Sequence, residues 1–174
     1  MTPNPAAEAT RAPGTQQFLS FEIGGEMYAV DILRVREIRG WTAVARIPHA
    51  PRHMLGILNL RGSIVPIVDL RLRFDLQRVE YNKITVIIVL SVSSPTGRRD
   101  VGVVVDAVSD VVAINTADVK QAPALGAGSG AEYIRGLISV GNRMVILLET
   151  DSLVGTEFRT AQADTQPTET AQAA

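Results

Sequence analysis

The sequence predicts a mainly β protein that consists of two small β-barrels, each with about five strands. Short apolar segments separated by glycine-containing turns indicate strands and hairpins. A segment of the first half aligns with a segment of the second half, which indicates two copies of one unit. Closing so short a sheet into a barrel removes the exposed strand edges that invite aggregation, so we expect barrels.

The first predicted element is a β-hairpin. In Gln17–Ile23 apolar and polar residues alternate with the period of a half-buried strand. Gly24-Gly25 permits the positive φ angles of a two-residue turn, and Met27–Val30 returns as the second strand. Asp31 is then expected to cap a short helical turn before the chain becomes extended again.

A connector and a second hairpin follow. Pro51–Gly56 fits one helical turn that proline begins and glycine ends. The hairpin runs from Gly56–Arg61 through a Gly62-Ser63 turn to Ile64–Leu70. Pro66 has no N–H for a ladder hydrogen bond, so we expect its strand to lie at a sheet edge or a bulge.

The second half has the same character. Ile84–Ser91 and Val101–Val105 are continuous Val and Ile runs, which predicts strands buried on both faces. We expect loops at Ser93–Asp100 and at Gln121–Ala131, and a final hairpin within Ile134–Leu148.

The internal repeat rests on two matches. Gly56–Asp69 aligns without gaps on Gly136–Glu149, with apolar, turn and acidic positions coinciding, and Ala29–Leu33 similarly matches Val104–Val108. The alternative is that any two hairpins look alike at this level of detail. On the duplication hypothesis, the first barrel covers about 16–80, the second covers about 81–150, and a short helix covers 150–158.

Composition restricts the function classes. The tails, 1–15 and 159–174, have almost no large apolar residue, which predicts disorder on either side of a single domain at 16–158. The net charge of -1 gives no global attraction to nucleic acid. The absence of cysteine excludes disulfides and thiolate sites, and the apolar runs are too short to cross a bilayer, so a soluble cytoplasmic protein is expected.

Candidate catalytic and metal-binding residues are few. His49 and His53 are four residues apart, but Pro51 between them disfavours a helix that would bring both to one metal. Several acids follow strands without serine or histidine partners at a recognisable spacing, which is typical of turn and cap residues: Asp69, Asp106, Asp110 and Asp118. We therefore expect no enzyme, cofactor or metal site. The remaining hypotheses are protein binding at the boundary between barrels and, because nine arginines lie between 34 and 78, nucleic-acid binding by a small barrel.

One run carries a family resemblance. Asn59–Arg71 is similar to the signature of the CheW family, the chemotaxis coupling proteins, and three stretches resemble the opening strands of that family in the right order: Phe18–Gly24, Tyr28–Leu33 and Val35–Gly40. Val101–Val111 extends the resemblance into the second half, so that it covers residues 17–158. It implies two tandem SH3-like five-stranded barrels with short helical connectors and a short C-terminal helix, in which a terminal strand can cross between barrels.

The resemblance also implies a function. Such a protein is a cytoplasmic scaffold that couples transmembrane chemoreceptors to the histidine kinase CheA. Its partners would be the regulatory domain of CheA and the tip of the receptor's cytoplasmic helical hairpin. It would need no cofactor, nucleic acid or insertion into the membrane. It would be a monomer when alone and would join membrane-associated receptor arrays.

Candidate contact residues follow from the matching motifs. The expected receptor contacts are Val35, Glu37, Arg61, Val86 and Val104. The expected kinase contacts are Ile47, Pro48 and Gly62. For the valines, ordinary core packing is the alternative, whereas Arg61 beside a turn glycine is harder to explain as a core residue.

Overall fold

The computed structural model describes residues 14–76, 79–124 and 130–154, and within these ranges the chain is mainly β. The predicted tails lie outside the described residues, except for Gly14, whose carbonyl accepts a hydrogen bond from the Thr116 N–H, and Thr15, which begins the first strand. The strands are β1 Thr15–Ile23, β2 Glu26–Asp31, β3 Val35–Gly40, β4 Met54–Leu60, β5 Ser63–Asp69, β6 Val86–Ser94, β7 Gly97–Val105, β8 Ala107–Asn115, β9 Ile134–Val140 and β10 Arg143–Leu148. One short α-helix, α1 Leu70–Arg73, follows β5.

The ten strands form two five-stranded sheets. The first, here called barrel A, has the order β8-β1-β2-β10-β9, and the second, barrel B, has the order β3-β6-β7-β5-β4. Neighbouring strands are antiparallel, except that β10 runs parallel to β2 and β5 parallel to β7. The two orders are equivalent under the internal repeat. In each, an early hairpin (β1-β2 or β6-β7) lies between a single strand (β8 or β3) and a late hairpin (β9-β10 or β4-β5). The topology therefore supports duplication.

The barrels do not follow the two halves of the sequence, so the division near residue 80 is wrong for the sheets. Each half contributes its first hairpin to the barrel that holds the last three strands of the other half. The connections explain this exchange. In a barrel made only from the first half, β3 would pair antiparallel with β1 and would begin beside the C-terminal end of β1. The chain leaves β2 at the opposite end of β1, so it would have to return along the six residues of β2, a distance of roughly 20 Å. The three residues Ile32–Arg34 between β2 and β3 reach only about 10 Å.

Isolated backbone bridges close both sheets. Ala45 exchanges hydrogen bonds of 3.0 and 2.8 Å with Ile57 in barrel B, and Lys120 exchanges two bonds of 2.8 Å with Leu137 in barrel A. Gly56 and Gly136, which match in the repeat, lie beside these bridges. A Cβ on Gly56 would come within 2.0 Å of the Ala45 carbonyl oxygen. A Cβ on Gly136 would come within 2.4 Å of Val119 Cγ1. Both glycines therefore allow a close backbone approach.

Three apolar cores fill the molecule. Barrel A encloses one around Phe18 and Leu147, and barrel B encloses another around Ile67 and Val89. The largest, the central core, lies between the barrels. It includes Phe21 and other residues of the early hairpins β1-β2 and β6-β7, together with residues of β5 and β10. Along β6 and β7, successive residues alternate between the barrel B core and the central core. This confirms the prediction that these strands are buried on both faces.

Short turns after the two late hairpins complete the central core. Leu70 of α1 is buried there, and so are Leu153 and Val154, which follow a 3-10 turn at Thr150–Ser152. Asp151 anchors that turn by accepting hydrogen bonds from Arg34 Nη2 at 3.2 Å and from the Ser93 N–H at 2.8 Å. The rest of the predicted helix at 150–158 lies outside the described residues from position 155 onward.

A buried arginine joins the ends of the central strands. Arg71 donates to both carboxylate oxygens of Asp69, at 3.0 and 2.9 Å, and to Asp106 Oδ1 at 3.1 Å. The Asp106 Oδ2 atom accepts from the Gly24 N–H, in the hairpin turn of barrel A, at 2.7 Å. Asp69, which ends β5, and Asp106, which follows β7, thus both bind Arg71, and Asp106 also connects barrel B to barrel A. This is a structural role, as expected for these acids.

Tyr81 also belongs to this network. Its hydroxyl donates to Asp69 Oδ2 at 2.8 Å, and Arg71 Cζ lies 4.8 Å from the centre of its ring. Burial, together with the hydrogen bond and negative charge of Asp69, raises the pKa of Tyr81 to about 12. The pKa of Arg71 is also raised. Burial alone would lower it, but the hydrogen bonds and charges of Asp69 and Asp106 outweigh that effect.

Several local predictions are corrected. Met54 begins β4 directly after a turn, so the expected helical turn at Pro51–Gly56 is absent from this described segment. The Ser93–Asp100 loop is instead the extended end of a hairpin, since β6 continues to Ser94 and β7 begins at Gly97. The strand Ala107–Asn115 was not predicted. Its burial does not alternate, since Ile114 is the one buried residue of this strand, and the period-2 signal of a strand is therefore missing.

The proline and turn predictions in the second hairpin also need correction. The strand that contains Pro66 is internal to barrel B, not at an edge, but Pro66 lies immediately before the first residue that pairs with β7. The turn residues are Arg61 and Gly62, both with positive φ, rather than Gly62 and Ser63. In contrast, Asp31 caps a short 3-10 turn as predicted, by accepting from the Leu33 N–H.

Substitution of either bridging glycine should destabilise the protein. Gly56→Ala places Cβ against backbone, which cannot move aside, and Gly136→Ala places it mainly against a side chain. We therefore expect both to lower the free energy of unfolding, Gly56→Ala by about 3 kcal/mol and Gly136→Ala by less. Urea denaturation measures this. Gly40→Ala is the matched control, because its Cβ would meet nothing within 4 Å, and an equal loss in all three variants would contradict the explanation.

The contribution of Tyr81 should disappear at high pH. Its folded-state pKa of about 12 exceeds the ordinary value of 10.0, so its stabilisation is complete below pH 10 and is lost as the pH rises toward 12. We expect the difference in free energy of unfolding between wild type and Tyr81→Phe to shrink between those pH values. Other tyrosines are present in both proteins and cancel. A difference that stays constant from pH 8 to 12 in urea denaturation would refute this prediction.

Candidate functional site

The structure brings two predicted receptor contacts together on barrel B. Glu37 lies on β3, and Arg61 lies in the β4–β5 turn, where its left-handed backbone directs it away from both strands. Arg61 Nη2 is 3.6 Å from Glu37 Oε2, although the Arg61 side chain is 87% exposed. Arg39 Nη1 lies 3.9 Å from the other Glu37 oxygen. Exposed pairs of this kind contribute little to folding stability, so these charges remain available to a partner.

An open pocket of about 270 Å³ lies beside this pair, at the end of barrel B. We call it the barrel B mouth. Its apolar lining comes from Leu60, Val65 and Val89, which belong to the barrel B core. Its charged lining comes from Arg36, Glu37, Arg61 and Asp100. The three apolar side chains are themselves buried, so the surface of the mouth is mainly polar and charged, which suits the selection of a protein partner by charge.

An exposed apolar surface adjoins the edge of the central core. Val35 and Val86 are half-buried and pack against that core from its margin. Three larger apolar residues close to them in the chain are exposed: Leu33 by 67%, Ile38 by 46% and Ile84 by 64%. We call these five residues the β3 strip. Sequence reasoning missed the three exposed members. For Ile38, the register shift between Val35 and Glu37 decides which face of β3 it occupies.

The central core fills much of the boundary between the barrels with packed side chains. An open pocket of about 430 Å³ remains at this boundary, between Tyr28 and Ile146 of barrel A and Arg73 and Phe74, which follow β5 of barrel B. Binding in a groove between the barrels therefore stays a prediction. Val104 is not a contact residue in this structure. It is 0% exposed and lies inside barrel B, because its position on β7 points away from the central core. The alternative of core packing is correct for Val104.

The predicted kinase contacts occupy two places. Ile47 is partly exposed and lines a pocket of about 360 Å³ together with Trp41 and Leu55, and Pro48 is its exposed neighbour. The Trp41 ring lies 4.3 Å from the Tyr81 ring, which places this pocket next to the Arg71 network. Gly62 is exposed beside Arg61 in the β4–β5 turn and is not among the residues that line the pocket.

The described residues contain no group of three or more histidine, cysteine or acidic side chains that could hold a metal. His53 Nε2 is hydrogen-bonded to Arg73 Nη1 at 2.8 Å instead. In the same described ranges, no helix has the length and hydrophobicity needed to cross a membrane. The side chains of Asp69 and Asp106, the acids at the ends of β5 and β7, are engaged in structural hydrogen bonds with Arg71.

Comparison with known proteins gives consistent results. The family model described as the CheW-like domain matches residues 17–158. The chain is 45% identical over 142 residues to the chemotaxis protein CheW of Klebsiella aerogenes, covering 82% of this chain and 83% of that protein. It is 38% identical to the chemotaxis protein CheW of Rhizobium meliloti, covering 85% and 93%.

A solved structure supports the same assignment. The scaffolding protein TtCheW from Thermoanaerobacter tengcongensis matches with a TM-score of 0.72 and 26% sequence identity, covering 82% of this chain and 90% of that one. The family is one of scaffold proteins, not enzymes. The chain belongs to the CheW family of chemotaxis coupling scaffolds.

Proposed function

We propose that this protein holds chemoreceptors and the histidine kinase CheA in one complex through separate surfaces of barrel B. Coupling of receptors to CheA is the general role of the CheW family. The observation that carries the proposal is the Glu37–Arg61 pair on barrel B, in which the exposed Arg61 lies 3.6 Å from Glu37. Such charges can select a protein partner, and the exposed apolar residues Leu33, Ile38 and Ile84 offer surface that a partner can bury.

The receptor partner is the tip of a cytoplasmic helical hairpin. A helix presents side chains at positions i, i+3, i+4 and i+7 to a binding surface. The β3 strip supplies exposed apolar residues that such a face can bury, and the charges of Glu37 and Arg61 lie on the same barrel. Affinity comes from the aliphatic contacts, and the two charges select the register of the helix.

The kinase partner is the regulatory domain of CheA, bound at the pocket that contains Ile47. Ile47 and Pro48 are exposed beside the apolar lining of this pocket. The rings of Trp41 and Tyr81, which contact each other, also line it. Two partners held on one rigid body meet at a raised effective concentration, so control of the kinase requires no catalysis by the scaffold. The protein acts in the cytoplasm as a monomer until the receptors recruit it to their arrays.

Charge changes at the receptor surface should weaken receptor binding without unfolding the protein. Glu37→Lys and Arg61→Ala should each reduce affinity for a receptor cytoplasmic fragment by about tenfold, because selective charges at an interface contribute at this scale. Biolayer interferometry measures the affinity, and thermal denaturation checks the fold. Glu132→Lys, the same change at an exposed acid of barrel A, is the control. Unchanged binding by both test variants would exclude this surface.

A change in the Ile47 pocket should affect the kinase alone. Ile47→Ser removes an exposed apolar contact, and we expect about fivefold weaker binding of the isolated CheA regulatory domain with unaltered receptor binding. Met144→Ser removes an exposed apolar residue of barrel A and serves as the control. Isothermal titration calorimetry with each partner separates the two surfaces. Equal weakening by Ile47→Ser and Met144→Ser would remove the kinase assignment.

A further inference from the structure

The parallel strands β5 and β7 separate at one end of barrel B. Their ladder pairs Ile67–Asp69 with Gly102–Val104. Pro66, which has no N–H, comes just before the first pair. Before that point the two strands line a cavity of about 390 Å³, to which β5 contributes Ser63–Val65 and β7 contributes Arg98–Asp100. We call this cavity the β5–β7 gap.

The far wall of the gap is a firmly held ribbon. The end of the β6–β7 hairpin extends past the β3 ladder, which stops at Leu90. Val92 of this ribbon is buried in the central core, and the Ser93 N–H donates to Asp151 at 2.8 Å. The turn is closed by a 2.7 Å hydrogen bond from Ser94 Oγ to the carbonyl of Gly97. Arg98 is therefore an exposed charge on an ordered support.

The gap continues into the barrel B mouth. Ser63, Val65 and Asp100 line both cavities, so the two form one groove. Around this groove the arginines outnumber the acids by two, although the whole chain carries a net charge of -1: the charged residues are Arg36, Glu37, Arg61, Arg98, Arg99 and Asp100. The acids lie near arginines, with Asp100 Oδ1 at 4.0 Å from Arg36 Nε. Arg98, which is exposed on the ribbon, contributes to this excess of positive charge.

We propose that this groove binds an acidic, extended segment of a partner protein, with Arg98 as its selective contact. The inference rests on the proposed function, since it adds a third contact to the scaffold. Charge complementarity favours an acidic occupant, because the arginines around the groove outnumber its acids. A protein segment is favoured over nucleic acid because two acids stand on the rim and no aromatic residue lines the groove for base stacking.

The test uses the full chain and a fluorescein-labelled ten-residue peptide of alternating glutamate and alanine, followed by fluorescence anisotropy. Arg98→Glu should weaken binding of this peptide by about tenfold, and raising NaCl from 50 to 500 mM should weaken binding to the wild type. Arg143→Glu is the matched control, because it reverses an exposed arginine at the start of β10, the strand that matches β5 in the repeat. It should change the affinity less than about twofold.

Three results would overturn the inference: no binding of the acidic peptide, equal weakening by Arg98→Glu and Arg143→Glu, or tighter binding of a ten-nucleotide oligothymidine than of the peptide. The last result would indicate nucleic-acid binding. Capture of receptor and kinase fragments by the wild type is measured in parallel. If both are captured while the peptide fails to bind, only the groove is misassigned; if neither is captured, the proposed function fails independently of the peptide.

Discussion

The buried charge of Arg71 is the interaction on which the arrangement of the barrels depends. An isolated charge in a protein interior is very costly, so it must be paired and fully hydrogen-bonded. Arg71 satisfies this requirement with Asp69, Asp106 and the carbonyl of Glu80, and Asp106 passes the connection on to Gly24 in barrel A. Breaking such a pair by removing one partner typically costs about 3–5 kcal/mol. The network is therefore a geometrical constraint, because its hydrogen bonds form only when β5, β7 and the first hairpin are in register.

Exchange of the early hairpins turns the two barrels into one body. Each barrel is completed by strands from the other half, and the central core between them is larger than either interior. Neither barrel can therefore separate without losing strands and core together. The central core fills much of the boundary between the barrels, and the β3 strip and the barrel B mouth lie outside that core. For a scaffold this rigidity is useful, because partners bound at separate surfaces keep a fixed relation to each other.

Barrel B carries surfaces of different chemistry. The β3 strip is aliphatic, the Glu37–Arg61 pair is charged, the Ile47 pocket contains aromatic residues, and the β5–β7 gap is basic. Different chemistry on neighbouring surfaces lets one small protein select several partners. The positions of these surfaces follow from local backbone features: a bulge in β3, a left-handed Arg61 and a proline before the β5–β7 ladder.

By itself, the sequence determined the β class, the first hairpin, the repeat and the family, because alternation, Gly-Gly turns and a long ordered motif are local signals. It also brought Glu37 and Arg61 forward as a candidate pair. Only the tertiary structure decided that the hairpins are exchanged, that Val104 is buried and that Leu33, Ile38 and Ile84 are exposed. The physical reason is that two copies of one unit offer each hairpin two equivalent partners, and an apolar pattern cannot distinguish them. The short connectors favour the exchange, but this effect can be read only when the position at which each strand begins is known. The register of each strand then sets which of its faces is buried.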